Sequence, residues 1–346
     1  MKLTFVVNDV QTEREDYTTI RLARAAAARG HEVALTSLVD STYEADGQVS
    51  ALANRPKGEG HADDKAILDD IQSAEPEKIM LTDQDVILLR SDPAGELEAR
   101  PWAPTSGLLF AQLCAEAGVI VLNDPRHLTD ASNKTYFQTF PEIIRPRTVI
   151  TRSEKEIRAF LEAEGGRGVI KPLQGSGGSG VFVIQDGAAA NLGAMIEATL
   201  NTGYAIVQEY LPLAADGDLR LITLNGKPLK VGDTYACFRR YNDSGDARSN
   251  YTAGGKIKME QPDEAALRLA ELCAPKLIQD GMYLAGLDIV GDKMMEINVD
   301  TPGGINLLEQ MCDEDFAGAI IDDLERKALL RRHYGKTLSN ELLAVA

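Results

Sequence analysis

The chain is poor in the residues that most often perform covalent catalysis. Its 346 residues include four histidines, at 31, 61, 127 and 333, and none belongs to a Ser/His/Asp or Cys/His constellation. The four cysteines, at 114, 237, 273 and 312, lack the close spacing of a zinc site or a redox pair. They read as free thiols in a reducing cytosol, so a cytoplasmic location is expected. No apolar run approaches the ~20 residues of a membrane span. The opening "MKLTFVVNDV" has a short apolar stretch ended by Asn8 and Asp9, and is expected to be a first strand rather than a signal peptide. Basic residues are scarce too: 36 Lys and Arg against 53 Asp and Glu give a net charge of −17, which argues against nucleic acid or an anionic membrane as partner. An anionic substrate would need a local basic pocket. There is no internal repeat and no low-complexity segment.

What remains is an ordinary globular composition, 44% hydrophobic and 26% charged, in a chain long enough for two or three subdomains. "LTFVV", "DYTTIRLARAAAARG" and "HEVALTSL" read as strand, helix and strand, which implies a parallel sheet. Asp16, Thr18 and Thr19 are candidate caps for that helix and Gly30 its stop. Gly47 to Asp64 reads as an exposed loop, "DVILLR" as a third strand, "TSGLLFAQLCAEAG" as a helix and "VIVLN" as a fourth strand. A domain boundary is expected near Asp124. Beyond it, "DASNKTYFQTF" is expected to be helical, as is "SEKEIRAFLEAEGG", capped by Ser153. "LRLITLNGKPLKV" predicts a hairpin around Asn225-Gly226. "DEAALRLAELCAPKLIQDG" predicts an amphipathic helix whose apolar face includes Ala265, Leu267, Leu269, Leu272 and Leu277. The tail from Asp313 is expected to be mostly helical.

One segment points to phosphate. In "KPLQGSGGSGVFVI", Lys171 precedes Gly175, Ser176, Gly177, Gly178 and Gly180. A Walker loop would place lysine after the glycines, at the start of a helix. Here "VFVI", a β-type run, follows, so the arrangement is strand, glycine loop, strand. A dinucleotide fingerprint is excluded as well, because "VVNDVQTERED" after the first strand has no glycine. Glycine backbone can approach phosphate oxygens without side-chain interference. By itself the segment fits a phosphate cover or a bare hairpin tip with a solvated lysine equally well.

A second segment, "GLDIVGDKMMEINVDTPGG", favours the first of these. If Gly291, Asp292 and Lys293 form the loop of a hairpin, Val290 faces Met294 and Asp288 faces Glu296. Glu296 and Asn298 then share a face, and three oxygen-bearing side chains converge. A two-residue loop would instead send Asp288 to the opposite face. Two facing carboxylates among apolar neighbours call for a cation, and oxygen ligands suit Mg²⁺ or Mn²⁺, which commonly share their shell with phosphate. The competing reading is a charged, exposed strand face.

Lys134, Lys171 with its glycines, "VQEYLP", "DGDLR" and "LDIV…EINV" follow one another in an order that resembles the ATP-grasp superfamily. The likeness to the bacterial glutathione synthetase family is closer and runs almost the whole length, through "DVILLRSDP", "NDPRHLTDASNK", "DGDLRLITLNGKP" and "RSNYTAGG". It implies an α/β chain, with a parallel-sheet, Rossmann-like domain over residues 1–124 preceding an ATP-grasp fold over 125–346. Within the latter, a lid would span about 135–205 and a catalytic part about 206–346. It further implies that Lys134, Lys171 and the loop at Gly175, Ser176, Gly177 and Gly178 bind the phosphates of ATP. Gln208, Glu209, Tyr210 and Leu211 would receive the adenine, with Asp218 nearby. Arg220, Arg240 and Arg248 would act at the reacting groups. Asn250, Asp16, Thr18 and Arg90 would meet the peptide substrate. Asp288, Glu296 and Asn298 would hold two Mg²⁺ ions. A homo-oligomer acting on small molecules or short peptides is implied as well.

The implied chemistry is ligation. A substrate carboxylate takes the γ-phosphoryl group of ATP, and an amine then displaces phosphate from the acyl phosphate. No enzyme nucleophile is needed, which suits the shortage of histidine. The chain departs from the family at "VDTPGGI", where "VTSPTGI" or similar is expected: Asp300 adds a negative charge, while Pro302, Gly303 and Gly304 lie where the amine acceptor would sit. Glutathione synthesis is thus one reading, a ligase of other donor or acceptor a second, and a non-catalytic ATP-binding protein a third. Arg220 and Arg240 as surface arginines, and Asp16 and Thr18 as helix caps, are the plainer alternatives for those residues.

Overall fold

The computed structural model describes residues 1–131, 133–175, 179–185, 191–242 and 255–346. Three larger sheets organise them. The first comprises β1 (Lys2–Val7), β2 (Glu32–Tyr43), β3 (Val49–Asn54), β4 (Glu77–Met80), β5 (Val86–Leu89) and β6 (Ile120–Leu122), in the order β4-β3-β2-β1-β5-β6. β1 runs parallel to β2 and β5, and β5 parallel to β6, as the strand–helix–strand opening predicts. The crossover helix α1 (Thr18–Ala28) buries Ile20 and Leu22, and Gly30 stops it at φ +77°. The helix predicted before "VIVLN" is α3 (Ala103–Ala117).

Two strands overturn the expected pattern. β3 lies inside the stretch expected to be an exposed loop, paired antiparallel to β2 and β4, with Val49, Ala51 and Ala53 buried. Its small and polar residues carry little strand propensity, so pairing decides the conformation there. "DVILLR" and "VIVLN" are therefore the fifth and sixth strands. Further along, α2 (Asp64–Ser73) starts at the side-chain cap Asp63.

The second sheet joins β7 (Thr148–Thr151), β8 (Gly168–Pro172), β9 (Phe182–Ile184) and β10 (Ala205–Gln208), all antiparallel, in the order β7-β10-β8-β9. Helices α5 (Glu154–Ala163) and α6 (Leu192–Asn201) cover it, and Ile157, Leu161, Ile170, Ile184, Ile196 and Val207 make a core separate from the rest. Ser153 caps α5 by accepting from the Glu156 N–H, as expected. Between the first two sheets, α4 (Pro125–Asp130) is followed by a 3₁₀ turn, Lys134–Thr139. The helix expected over "DASNKTYFQTF" is thus shorter and tighter, with Asn133 capping it.

The third sheet has β11 (Asp218–Leu224), β15 (Cys237–Tyr241), β16 (Lys256–Met259), β17 (Leu284–Val290) and β18 (Lys293–Asn298) in the order β16-β15-β11-β17-β18. The short β12 (Lys227–Pro228) turns back on β11 at Asn225-Gly226, where both residues have positive φ as that tight turn requires. β13 (Lys230–Val231) and β14 (Thr234–Tyr235) pair beside it. Helix α7 (Glu264–Gln279) packs through Ala266, Leu269, Ala270, Cys273 and Leu277; Ala265, expected on that face, is exposed. After α8 (Ile305–Met311), helices α9 (Phe316–Tyr334) and α10 (Asn340–Val345) return to the first sheet. Phe316, Ile320 and Leu324 share a core with Ile20 and Leu22, and the Asn340 amide bonds both backbone groups of Val121. Among the described residues no helix is long and apolar enough to cross a membrane.

A single buried amide ties the first sheet to the third. Asn123, just after β6, accepts from the Leu284 N–H at 2.8 Å and donates to the carbonyls of Leu284, at 2.9 Å, and Val299. Removing it leaves buried backbone groups unpaired. Asn123→Ala is expected to cost about 2–4 kcal/mol of unfolding free energy, read as a lower urea midpoint with unchanged slope.

Candidate active site

The predicted carboxylate hairpin is present, but it is built differently. Its turn has two residues, Gly291-Asp292, so Val290 faces Lys293 and Ile289 faces Met294. Gly291 takes the positive φ, +58°, that such a turn requires. The three-residue loop is thereby corrected. A two-residue turn would ordinarily point Asp288 away from Glu296. The register shifts between Asp288 and Ile289, however, so that Met295 is one residue in excess and Asp288 faces Glu296 after all. Asn298 lies opposite Gly286 on the same side.

On the other flank of β17, Arg220 of β11 lies opposite Asp288, and Arg240 of β15 lies opposite Asp218. Arg220 binds Asp288 through Nε and through Nη2, the latter at 2.9 Å. Arg240 Nη2 is 2.8 Å from Asp288 Oδ2, and Arg240 Nε is 3.0 Å from Asp218 Oδ2. Asn298 Nδ2 donates to Asp288 Oδ2 at 3.1 Å. Asp218, Arg220, Arg240 and Asp288 are all buried, so neither arginine is a surface residue. Burial pushes the Asp288 carboxyl up, but Arg220 and Arg240 outweigh it and hold it below the usual carboxylate range. Burial lowers Arg240, and Asp288 and Asp218 more than restore it, so it stays charged. Gly217 explains itself here: at φ +86°, a Cβ would lie 1.9 Å from the Arg240 carbonyl oxygen.

The second sheet brings the lysines to the same place. Lys171 sits on β8, and Lys134 Nζ is 3.2 Å from Glu296 Oε1. The Lys134 N–H bonds the Leu173 carbonyl, fastening the 3₁₀ turn to the end of β8. Burial lowers Lys171 to about 8, with Lys134 adding to the shift and Glu296 and Asp288 opposing it. At the end of β10, Gln208 donates to Thr148 Oγ1 and Glu209 pairs with Arg147; Tyr210 and Leu211 follow, half-buried. Gly175 has φ +144°, while Ser176, Gly177, Gly178, Arg248 and Asn250 lie outside the described residues.

Two of the residues predicted in the N-terminal domain, Arg90 and Thr18, meet the "DTPGG" segment. Arg90, buried, donates through Nη2 to the Pro302 carbonyl at 2.9 Å and through Nε to Thr19 Oγ1. Thr18 Oγ1 accepts from the N–H groups of Gly304, at 3.0 Å, and Ile305, at 3.2 Å. Helix α1 has no side-chain cap, so the expectation that Asp16 or Thr18 caps it is overturned: Thr18 serves the start of α8. Asp16 pairs with Arg14, and its carbonyl accepts from the Asn306 amide. Next to Pro302 and Gly303, Asp300 is raised to about 7 by burial and by Asp92. Sequence reasoning missed Glu13, whose buried Oε2 has no partner and whose carboxyl burial raises to about 7 against the pull of Arg90. Nothing singles out one glutamate in "TERED". Arg90 is itself lowered to about 10 by burial, with Glu13 opposing.

The donor set of Asp288, Glu296 and Asn298 is all oxygen and fits a hard divalent cation. Among the described residues no group of three or more His, Cys, Asp or Glu is assembled for a metal. A cation at this hairpin would therefore complete its shell with oxygens from elsewhere, as Mg²⁺ does with phosphate.

Comparison with known proteins supplies the context. The family model described as prokaryotic glutathione synthetase, ATP-grasp domain, matches residues 133–313, and that of the N-terminal domain of the same family matches residues 1–129. The glutathione synthetase of Ralstonia nicotianae is 33% identical over 336 residues, covering 95% of this chain and 96% of that one. The glutathione synthetase of Vibrio cholerae is 31% identical over 309 residues, covering 87% and 90%. In fold, the chain is similar to D-cycloserine synthetase DcsG, with a TM-score of 0.65 at 16% identity over 95% of this chain and 99% of that one. The macrocyclase MdnC from Microcystis aeruginosa, solved with its precursor peptide, gives 0.61 at 13% identity over 94% and 100%.

Two titrations test this geometry. With Lys171 poised near 8, a bound polyphosphate favours its charged form. ADP binding at pH 8 should take up protons, and affinity should fall as pH rises through that value; calorimetry in buffers of different ionisation enthalpy reads both. Asp300 is raised when folded, so its charge opposes folding above pH 7 and costs nothing well below its unfolded pKa of about 4. Asp300→Asn should raise Tm at pH 8, with the gain shrinking through pH 6 and 5 and vanishing near pH 4.

Proposed function

The chain belongs to the prokaryotic glutathione synthetase family of ATP-grasp ligases, and from that membership we propose that it joins γ-glutamylcysteine to glycine, with ATP converted to ADP and phosphate. It is an ATP-dependent ligase in an α/β fold. The substrates rest on the family, and the observation that carries the use of ATP is the meeting of Lys134 and Lys171 with Asp288 and Glu296, where the second sheet faces the third. Cationic and anionic groups are arranged there as a metal–polyphosphate complex requires.

In this reading Lys134 and Lys171 hold the phosphates of ATP, under cover of the loop at Gly175, Ser176, Gly177 and Gly178. Gln208 to Leu211 receive the adenine, and Asp218 orients Arg240. Arg220, Arg240 and Arg248 stabilise negative charge as the γ-phosphoryl group moves to the peptide carboxylate. Asp288, Glu296 and Asn298 hold Mg²⁺ or Mn²⁺, which supplies further charge neutralisation when bound. A closed loop keeps water from the acyl phosphate until the amine arrives. Asp16, Thr18, Arg90 and Asn250 shape the peptide site, Arg90 and Thr18 by holding Pro302 and Gly304 and Asp16 through its carbonyl on Asn306. We place the division between the two domains near Asp124, the lid at about 135–205, and the protein in the cytoplasm as a homo-oligomer.

One observation favours a second acceptor class. Asp300 puts an acidic group beside the segment where the amine would bind, a position that would also suit an acceptor with a second positive group. ADP release measured with Mg-ATP, γ-glutamylcysteine and each small amino acid in turn decides between the two. Glycine alone is expected to support turnover; release only with another amine would move the assignment to that acceptor. Glu296→Gln should lower turnover by at least ~10²–10³ with Tm little changed, and retained activity would remove Glu296 from the site.

A further inference from the structure

Cationic side chains engage the very carboxylates assigned to hold a cation. An ionised carboxylate offers about four acceptor positions on its two oxygens. Asp288 takes four donors unevenly: Arg220 Nε alone on Oδ1, and Arg220 Nη2 at 2.9 Å, Arg240 Nη2 at 2.8 Å and Asn298 Nδ2 at 3.1 Å crowded on Oδ2, so one acceptor position stays open on Oδ1. Glu296 faces it across the hairpin and is engaged by Lys134 at 3.2 Å. Among the described residues the cluster contains Lys134, Lys171, Arg220 and Arg240 against Asp218, Asp288 and Glu296, four positive groups and three negative. A divalent cation arriving alone would make this half-buried site strongly positive. Arriving with a polyphosphate of three or four negative charges, it leaves the site near neutral.

We propose that Lys134 is a built-in counter-ion that, beside the fixed Arg220 and Arg240, closes the hairpin carboxylates to a divalent cation until a nucleoside polyphosphate draws the lysine away. The inference rests on the metal reading given above. Lys134 is the movable member. Its side chain is partly exposed, its partner Glu296 is the more accessible carboxylate, and its backbone is fixed to the end of β8, next to the glycine loop. A phosphate competes well for an ammonium group, since it offers several charged oxygens to one lysine. Once Lys134 turns to phosphate, Glu296 regains its lone pairs on the face where the cation must sit.

Equilibrium dialysis of Mn²⁺ against the full chain tests this without turnover, through a membrane that passes free Mn²⁺ and Mn·ADP alike. Wild type should retain Mn²⁺ with saturating ADP about tenfold or more better than Mn²⁺ alone. Lys134→Met, its folding checked by thermal unfolding, should bind Mn²⁺ alone about tenfold more tightly than wild type. Adding Glu296→Gln should abolish that gain. Lys134→Gln serves as the second variant should methionine lower Tm. Wild type binding Mn²⁺ alone as tightly as with ADP overturns the counter-ion role and leaves the metal site standing, as does a Lys134 variant that shows no gain. Failure to retain Mn²⁺ even with ADP overturns the metal reading and the inference together.

Discussion

The buried ion cluster around Asp288 sets the terms for the rest of the structure. Four charged side chains, Asp218, Arg220, Arg240 and Asp288, are taken from water in the middle of one sheet. Such burial is tolerable only if every charge meets its opposite at short range. That condition fixes the register of β11 against both β15 and β17, because a one-residue slip in either pair would strand a charge. It also requires glycine at 217, where the chain passes close to the Arg240 backbone. The sheet is therefore fixed in register around Asp218, Arg220, Arg240 and Asp288, and its outer hairpin is anchored to that cluster through Asp288.

Around this sheet the other two are attached in contrasting ways. The first sheet is held by many specific contacts: Asn123 to β17 and the end of β18, Arg90 to Pro302, Thr18 to the start of α8, and Asn340 of the last helix to β6. The second sheet has its own hydrophobic core and reaches the third through the Lys134 turn and the charges of the cleft.

Much of this was legible from the residues. The glycine loop between two strands and the Asn-Gly hairpin follow from short-range rules of turn chemistry and alternation, whereas Asp288 faces Glu296 only because a bulge offsets the shorter turn. What stayed hidden was set by tertiary partners. β3 has the residues of a loop and becomes a strand because β2 and β4 lie on either side of it. Thr18 has the position of a cap for its own helix and serves a helix nearly three hundred residues away instead. Glu13 becomes unusual only through burial beside Arg90, which no local pattern encodes. The likeness to a known family located Arg220 and Arg240, although only the fold reveals that they share one carboxylate.

The extra residue at Met295 gives the hairpin a property of a different kind. With two residues in the turn and one surplus residue in the return strand, the phase of Glu296 and Asn298 relative to Asp288 depends on the parity of a count. Replacing Asp292 or Met295 leaves that parity intact. Gaining or losing one residue anywhere between Ile289 and Glu296 reverses it and turns both side chains to the far side of the sheet. Over evolutionary time the segment is therefore constrained in length more than in spelling. A compensated pair of changes, one in the turn and one in the bulge, is the route by which its length can drift without loss of the site.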